Sequence, residues 1–274
     1  MDSFNDYLVD NEINKRNLNL LIKEFKKEVF IPFIGAGCSL PLGEPDWENL
    51  FKKLRMKYKL RVKLSRDKDG LVNFPRLFSK IYSRLPNNNN FYKDIFEILR
   101  PTVTTGTFLH IYLIRAFDSY LTTNYDTPIE EAYYLHKKVR LKKYYLFCPM
   151  PDINFKNCIV YLHGHRDINF AIIKEEDYKY FYPSISGMPG APLLESFLEY
   201  ILQKKKIIFI GSSFSDKYLV SFLKLKNRIN KHFLLIDNST DRYQAYIKVV
   251  EEYKSKNELE KAKEQENKFY SSFG

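Results

Sequence analysis

Four apolar runs of this 274-residue sequence each end in small or polar residues that could bind a phosphate group and move a proton. Glycines let a backbone turn sharply and approach a ligand without side-chain obstruction. An asparagine amide can both donate and accept hydrogen bonds, and a histidine can act as a base. The segments that follow the four runs are Gly35-Ala36-Gly37-Cys38-Ser39, Thr122-Thr123-Asn124-Tyr125-Asp126, His163-Gly164-His165 and Gly211-Ser212-Ser213.

The first of these segments has the composition of a phosphate-binding turn. The run Val29–Ile34 predicts a buried strand, after which the glycines turn the chain. Ser39 is placed to cap a following helix or to bind a phosphate, and the free N–H groups and dipole of a helix start favour an anion. Because no third glycine follows at the Rossmann spacing, an ordinary tight turn is the alternative for this segment taken alone.

Predicted strands and helices alternate, which indicates a mostly parallel, doubly wound, Rossmann-like α/β sheet. Ligands bind such sheets beyond the carboxyl ends of the strands, so we expect the four segments at one edge. The predicted strands are Val29–Ile34, Asp118–Thr123, Arg140–Phe147, Cys158–Leu162, Asn169–Ile173, Lys206–Ile210 and His232–Asp237. The predicted helices are Asn5–Lys27, Trp47–Tyr58, Phe74–Leu85, Phe91–Leu99, Phe108–Ala116, Pro128–His136, Leu193–Gln203 and Tyr218–Asn230.

The spacing of these elements predicts a single domain over residues 1–274 with an inserted helical module at 47–101. The module is too long for a simple crossover, and we expect it to fold over the site. The interval Tyr182–Ala191, which is rich in proline and glycine, predicts a loop. Residues 254–274 are highly charged and predict an exposed or partner-facing helix or tail.

Composition narrows the class of protein. The formal net charge is +11, but the lysines are scattered along predicted amphipathic helices. We therefore expect a positive field that attracts an anionic dinucleotide, and we do not expect nucleic acid as the primary ligand. No apolar run reaches about 18 residues, so no membrane-spanning helix is expected. A polar N-terminus without a signal peptide and three widely spaced cysteines predict a cytoplasmic protein.

The order and content of the motifs resemble the sirtuin-type NAD-consuming fold, and more narrowly the sirtuin-like domains of bacterial anti-phage defence proteins. The resemblance extends from about Val29 to Asp237, which is most of the chain. It implies that NAD is the ligand and the substrate. The motifs that carry it are Gly35–Ser39, Gly43-Glu44-Pro45-Asp46-Trp47, Thr122–Asp126, His163-Gly164 and Phe209–Asp216.

The resemblance also implies roles for individual residues. His163 matches the sirtuin catalytic base, and Asn124 matches the asparagine that positions the nicotinamide ribose. Asp126 matches the acidic residue beside the nicotinamide carboxamide. The candidates for the rest of the dinucleotide are Gly35, Ala36, Gly37 and Ser39 at the diphosphate, Gly211, Ser212 and Ser213 at the adenosine half, and Asp46 within the Gly-x-Pro-Asp-Trp stretch.

Most of these assignments have a structural alternative. His163 could merely hydrogen-bond a loop, although we expect an exposed imidazole that titrates near neutral pH. On a continuing strand His165 would face the same side, either as a second ligand contact or without a role. Trp47 could stack near the nicotinamide or pack in a core. The acidic candidates that could instead cap helices are Asp46, Asp126 and Asp216.

Two departures from the protein-deacylating sirtuins bear on the reaction. The chain has no Cys-x-x-Cys pair, so the zinc ribbon of those enzymes is absent and no metal is expected. The arginine and serine that follow their Gly-x-Pro-Asp-Phe stretch are replaced by Glu48 and Asn49. These differences disfavour a deacylase and leave hydrolysis of NAD to nicotinamide and ADP-ribose as the favoured activity.

The biological role implied by the resemblance is depletion of NAD during anti-phage defence. Such an effector is expected to assemble as a homo-oligomer or with a partner defence protein, and not on a membrane. The alternative function is a non-catalytic sensor that binds NAD or an ADP-ribose-type nucleotide and regulates a partner. The same glycines would serve the sensor, whereas His163 and Asn124 together favour catalysis.

Overall fold

The computed structural model describes residues 12–25, 30–65, 72–88, 90–100, 108–151, 155–212, 216–226 and 233–235. Within these ranges a parallel sheet runs in the order β3-β4-β2-β1-β7-β8. Its strands are β1 Phe30–Ile34, β2 Ser119–Thr122, β3 Lys142–Tyr145, β4 Cys158–Tyr161, β7 Lys206–Ile210 and β8 Phe233–Leu235. A separate antiparallel pair consists of β5 Gly164–His165 and β6 Phe170–Ala171.

Helices connect and cover the strands. Their bounds are α1 Glu12–Phe25, α2 Trp47–Lys57, α3 Phe74–Tyr82, α4 Phe91–Ile98, α5 Phe108–Ala116, α6 Pro128–Lys137, α7 Glu175–Phe181, α8 Pro183–Ser186, α9 Leu193–Lys204 and α10 Lys217–Lys226. No helix in the described ranges is long and apolar enough to cross a membrane.

The sheet is apolar on both faces, as a parallel sheet covered by helices on both sides requires. All five residues of β1 are buried. Ile31 and Phe33 belong to one core cluster, and Phe30 and Ile34 to another. Because successive strand residues point to opposite faces, these clusters are the two faces of one sheet. This arrangement confirms the predicted doubly wound α/β class.

The strand order places the four chemically interesting segments side by side. Strand β1 is central, with β2 on one side and β7 on the other, and Ile34 pairs with both Thr122 and Ile210. On β2, Thr122 pairs with Tyr161 of β4. All four strands point the same way, so their carboxyl ends meet at one edge. The chain order reverses at β1, which makes this edge the topological switch point.

Helices α2, α3 and α4 pack around an apolar cluster that contains Phe51, Phe78 and Ile95. Tyr125, which follows β2, belongs to the same cluster, and its hydroxyl donates a hydrogen bond to the Ile172 carbonyl at 2.7 Å. The cluster therefore ties this helical module to the loops at the sheet edge. Trp47 packs against two phenylalanines of α3, as expected of a core aromatic, and it also lines the cavity at the sheet edge.

Several local predictions need correction. The turn after β1 leads into two short 3-10 segments, Ala36–Cys38 and Leu40–Leu42, and not into an α-helix. The predicted loop Tyr182–Ala191 contains the short helix α8, because Pro183 and the left-handed Gly187 allow one helical turn between them. Val29, Pro101, Ser213, half of His232–Asp237 and residues 254–274 lie outside the described residues.

Candidate functional site

A cavity opens at the carboxyl edge of the sheet and is walled by the loops after β1, β2 and β4, the start of α2 and the region before α10. Most of the residues proposed from the sequence line it. Those that do are Gly35, Ala36, Ser39, Asp46, Asn124, Asp126, His163 and Ser212. Gly37 and Gly211 are not among the lining residues, and Ser213 is not among the described residues.

The glycines of the first turn make close contact with protein backbone. The Gly35 and Gly37 N–H groups donate to the carbonyls of Ile210 and Gly211 at 2.9 and 2.8 Å. A Cβ at Gly35 would lie 2.5 Å from the Gly211 oxygen, and one at Gly37 would lie 2.8 Å from it. The expectation that these glycines also serve the approach of a ligand stays a prediction, and Gly35 does line the cavity. Their small size lets the loop after β1 pack onto the loop after β7.

Ser39 does not cap a helix, which corrects another expectation. Its side chain makes no capping hydrogen bond, and the Cys38 and Ser39 N–H groups donate to the carbonyls of Gly35 and Ala36 at 3.1 and 2.9 Å. The expected start of an α-helix is wrong, because 3-10 segments follow the turn and the Cys38 and Ser39 N–H groups are bonded to backbone carbonyls. Binding of a diphosphate at this turn stays a prediction. Ser39 is buried instead beside Asn124.

Asn124 is held at the end of β2 by a short chain of hydrogen bonds. Its N–H donates to Thr122 Oγ1 at 2.9 Å, and that hydroxyl donates to the Ile34 carbonyl at 2.8 Å. The Asn124 amide donates to Ser39 Oγ at 3.4 Å. The side chain is buried in the cavity wall, so its position is set by two neighbouring strands at once.

Asp126 lines the cavity and is not the cap of the next helix. Thr127 occupies the N-cap position of α6 without a side-chain capping bond. Burial raises the pKa of Asp126 to about 6, while its interactions with Ser39, Arg166 and Asn124 act in the opposite direction. Asp46, in contrast, does cap α2, because its carboxylate accepts from the Asn49 N–H at 2.7 Å.

His163 lies in the cavity wall with only 1% of its surface exposed, so the expected exposed imidazole needs correction. Its Nε2 is 3.0 Å from Tyr182 Oη and 3.6 Å from Asp216 Oδ2. Burial lowers the pKa of His163 to about 3, which keeps the ring neutral at physiological pH. A neutral imidazole next to a carboxylate can still accept a proton, because the carboxylate would stabilise the resulting cation.

Asp216 combines the two roles that the sequence left open. Its Oδ1 accepts from the N–H groups of Tyr218 and Leu219, both at 3.0 Å, which fixes the start of α10. The same side chain lines the cavity, and burial raises its pKa to about 6. The cap therefore holds Asp216 in place beside His163.

His165 faces away from the cavity, contrary to the expectation that it shares a side with His163. Gly164 adopts a left-handed φ of 94°, which turns the chain between the two histidines. The His165 ring packs 4.2 Å from the Tyr161 ring centre, and its Nδ1 accepts from the Asp167 N–H at 3.1 Å. Burial lowers the pKa of His165 to about 4.

Two charged residues of this region were not found from the sequence. Glu44 lines the cavity and is 7% exposed, and neither of its carboxylate oxygens has a hydrogen-bond partner among the described residues. Arg166 carries a positive charge that lowers the pKa of both Glu44 and Asp126. The position of Glu44 inside the Gly-x-Pro-Asp-Trp motif was an available signal, whereas nothing in the sequence linked Arg166 to these carboxyls.

Within the described residues, no group of three or more His, Cys, Asp and Glu side chains could hold a metal ion. All three cysteines, Cys38, Cys148 and Cys158, are free and buried.

Comparison with known proteins gives two relatives at 26% identity. One is the NAD(+) hydrolase ThsA of Acinetobacter baumannii (strain 532279), matched over 239 residues, 85% of this chain and 45% of the relative. The other is the NAD(+) hydrolase ThsA of Bacillus cereus (strain MSX-D12), matched over 237 residues, 82% of this chain and 47% of the relative. The chain thus spans less than half the length of each curated relative.

A family model also matches the chain. Its description is SIR2-like domain, and it covers residues 118–267, more than half of the sequence. The matched part includes the segments that carry Asn124, Asp126 and His163. Together with the parallel sheet and the cavity at its switch point, this match establishes that the chain belongs to the SIR2-like domain family.

Proposed function

We propose that this chain hydrolyses NAD to nicotinamide and ADP-ribose. The observation that carries the proposal is that one cavity unites Asn124 from the end of β2 with His163 from the end of β4. A module that only binds a dinucleotide does not need a positioned base, whereas cleavage by water needs one. The relatives named NAD(+) hydrolase, matched over more than four-fifths of this chain, support the same reaction.

In the proposed reaction, water adds to the anomeric carbon of the nicotinamide ribose while the bond from that carbon to the nicotinamide nitrogen breaks. The nitrogen keeps the electron pair of the broken bond, which neutralises the pyridinium ring. His163 accepts the proton that the water loses, and the neighbouring Asp216 carboxylate stabilises the charged imidazole. The Asn124 amide orients the ribose hydroxyls or the water through its donor and acceptor groups.

The remaining candidates are proposed to bind the other parts of NAD. Ala36 and Ser39 lie in the cavity wall near the expected diphosphate, and Ser212 lies beside the loop proposed for the adenosine half. Gly35, Gly37 and Gly211 support this wall through their backbone packing. Asp126 faces the nicotinamide end, and Asp46 contributes at the start of α2.

The physiological role that we propose is depletion of cytoplasmic NAD during anti-phage defence. This role rests on the resemblance of the motifs and on the relatives. Activity would be controlled through a homo-oligomer or a partner defence protein, with the helical module at 47–101 moving over the nicotinamide end. We do not propose nucleic acid or a membrane as a partner.

A nucleotide sensor without turnover is the second candidate function. The specific observation that favours it is the environment of His163, because a ring with a pKa of about 3 is a weak base. In that case the cavity would bind NAD or an ADP-ribose-type nucleotide, and occupancy would be communicated through the helical module.

The deciding experiment incubates the purified chain with NAD and separates the products by chromatography with mass detection. We expect equal amounts of nicotinamide and ADP-ribose, formed at the same rate in the presence of a chelator. Calorimetric binding of NAD without products would favour the sensor. If the chain neither binds nor cleaves NAD at several protein concentrations that vary the oligomeric state, both functions are overturned.

A further inference from the structure

Glu44 is an acidic side chain in the cavity wall, and its carboxyl group has no hydrogen-bond partner in the part of the chain that the structure describes. It follows Gly43, which adopts a left-handed φ of 84°, and precedes Pro45 and the start of α2. Only 7% of the residue is exposed, and both carboxylate oxygens are unpartnered within the described residues. A buried polar group without a partner is costly, and such groups in folded proteins call for an explanation.

The charges that face Glu44 come from three parts of the chain. They are Asp126 after β2, Arg166 after β5 and Lys53 on α2. Burial and the Asp126 charge raise the pKa of Glu44, whereas Arg166 and Lys53 lower it, and the result is a pKa of about 8. Glu44 is consequently a neutral carboxylic acid at pH 7, with one O–H donor and one carbonyl acceptor.

An internal ion pair does not explain this arrangement. Nε and Nη2 of Arg166 are buried and also lack partners among the described residues, as do both Glu44 oxygens. The guanidinium acts on Glu44 through its charge and not through these hydrogen bonds. The carboxyl group is therefore available to a ligand that enters the cavity.

Resting on the proposed function, we infer that Glu44 binds the carboxamide of the nicotinamide ring and selects this amide against the corresponding carboxylate. A neutral carboxyl and an amide form two complementary hydrogen bonds, since the O–H donates to the amide oxygen and the carboxyl C=O accepts from the amide N–H. The Asp126 carboxylate accepts the second amide N–H. Glu44 is thus a specificity-determining residue of the leaving-group pocket.

Rejection of the carboxylate follows from the same groups. Nicotinate has no N–H to donate, so the Glu44 carbonyl would have no donor and Asp126 would lose the bond from the second amide N–H. It would also place a negative charge beside Asp126 in a partly buried site. Sites built to hydrogen-bond a substrate group discriminate strongly against analogues that lack it.

The test compares NAD with nicotinic acid adenine dinucleotide in the wild type, Glu44→Gln and Glu44→Leu. We expect the wild type to favour NAD by about 100-fold or more in kcat/KM, and Glu44→Leu to reduce that ratio at least about tenfold. Glu44→Gln keeps a donor and an acceptor, so its ratio should stay within about threefold of the wild type. Inhibition by free nicotinamide should weaken about tenfold in Glu44→Leu and remain in Glu44→Gln.

The pH profile supplies a readout that a merely structural role would not change. Above a pH of about 8, ionised Glu44 loses its O–H donor, so the wild-type kcat/KM for NAD should fall. Glu44→Gln should lack this alkaline decline. Circular dichroism and urea unfolding of all three proteins establish that the variants are folded.

The outcomes separate the two hypotheses. A folded Glu44→Leu protein with unchanged discrimination and unchanged nicotinamide inhibition overturns the role of Glu44 and leaves NAD hydrolysis standing. If the wild type shows no turnover, hydrolysis fails, and calorimetric titration with nicotinamide and nicotinate then decides the role of Glu44. Equal affinity for the two compounds, or equal affinities in the wild type and Glu44→Leu, overturns it.

Discussion

His163 and His165 stand two residues apart and are both buried, yet they belong to different regions of the molecule. His163 lines the cavity with Asp216 and contacts the buried Tyr182 hydroxyl, whereas His165 packs on Tyr161 and does not line the cavity. Gly164 separates them by turning the chain. The comparison teaches that burial and a lowered pKa do not identify a functional histidine, because both rings have these properties. What distinguishes His163 is that it borders a space that a ligand can enter.

The sharpest way to break this comparison is to remove each histidine in turn. We expect His163→Ala to lower the turnover of NAD by about 100-fold or more, as for loss of a positioned base. His165→Ala should reduce turnover less than about fivefold in the protein that remains folded, since its ring does not line the cavity. Steady-state kinetics with folded protein quantified by circular dichroism provides the measurement. An inactive His165→Ala with an active His163→Ala would reverse the assignment.

A second prediction concerns the cavity side alone. Asn124→Ala should also lower turnover by about 100-fold, because the amide that orients ribose or water is lost. Asn49→Ala, on the exposed surface of α2, is the matched control and should stay near wild-type activity. An increase in KM with an unchanged kcat would contradict a role for Asn124 in the chemical step.

A third prediction addresses the residue that separates the two regions. Gly164→Ala should lower the free energy of unfolding by about 2–4 kcal/mol, because the left-handed φ disfavours alanine and the new Cβ collides with the chain. That Cβ would lie 2.2 Å from the Phe170 carbonyl oxygen. Gly187→Ala is the matched control, since Gly187 has a φ of 68° and open space around it.

The control isolates the collision from the backbone strain. Gly187→Ala should cost only about 1 kcal/mol, and urea unfolding measures both variants. Equal losses in the two variants would show that a small shift relieves the collision with Phe170.

The smallest expected effect is the pH dependence of stability that the two histidines share. Their folded pKa values, about 3 for His163 and about 4 for His165, lie below the ordinary value of 6.5. Between a pH of about 4 and 6.5 the unfolded chain binds more protons than the folded protein. The free energy of unfolding therefore falls as the pH decreases from 6.5. His163→Gln and His165→Gln should each reduce the fall between pH 7 and pH 5 by about 2 kcal/mol.

Urea unfolding from pH 7 to pH 4 measures this effect, and exposed His136→Gln serves as the control. Variants that retain the full wild-type slope would show that folding does not lower the pKa of the two rings, which would contradict the effect of burial on them.

Much of the fold could be predicted from the sequence because the signals are local. Strand Lys206–Ile210 and helix Phe108–Ala116 have the predicted bounds, since an apolar run and a helical apolar period report burial directly. The 3-10 turns after β1 and the short helix α8 were missed. Their hydrogen bonds depend on single turns whose sequences resemble ordinary loops.

The sequence by itself determined the parallel α/β sheet, the edge of it where the cavity lies and the presence of Asn124 and His163 together at that edge. Only the tertiary structure decided what each group touches. In the folded chain His165 does not line the cavity, and Glu44 is buried near Asp126. Gly35 and Gly37 pack against the loop after β7. The physical reason is that side-chain direction, burial and electrostatic neighbours depend on segments far apart in the chain, which no local pattern records.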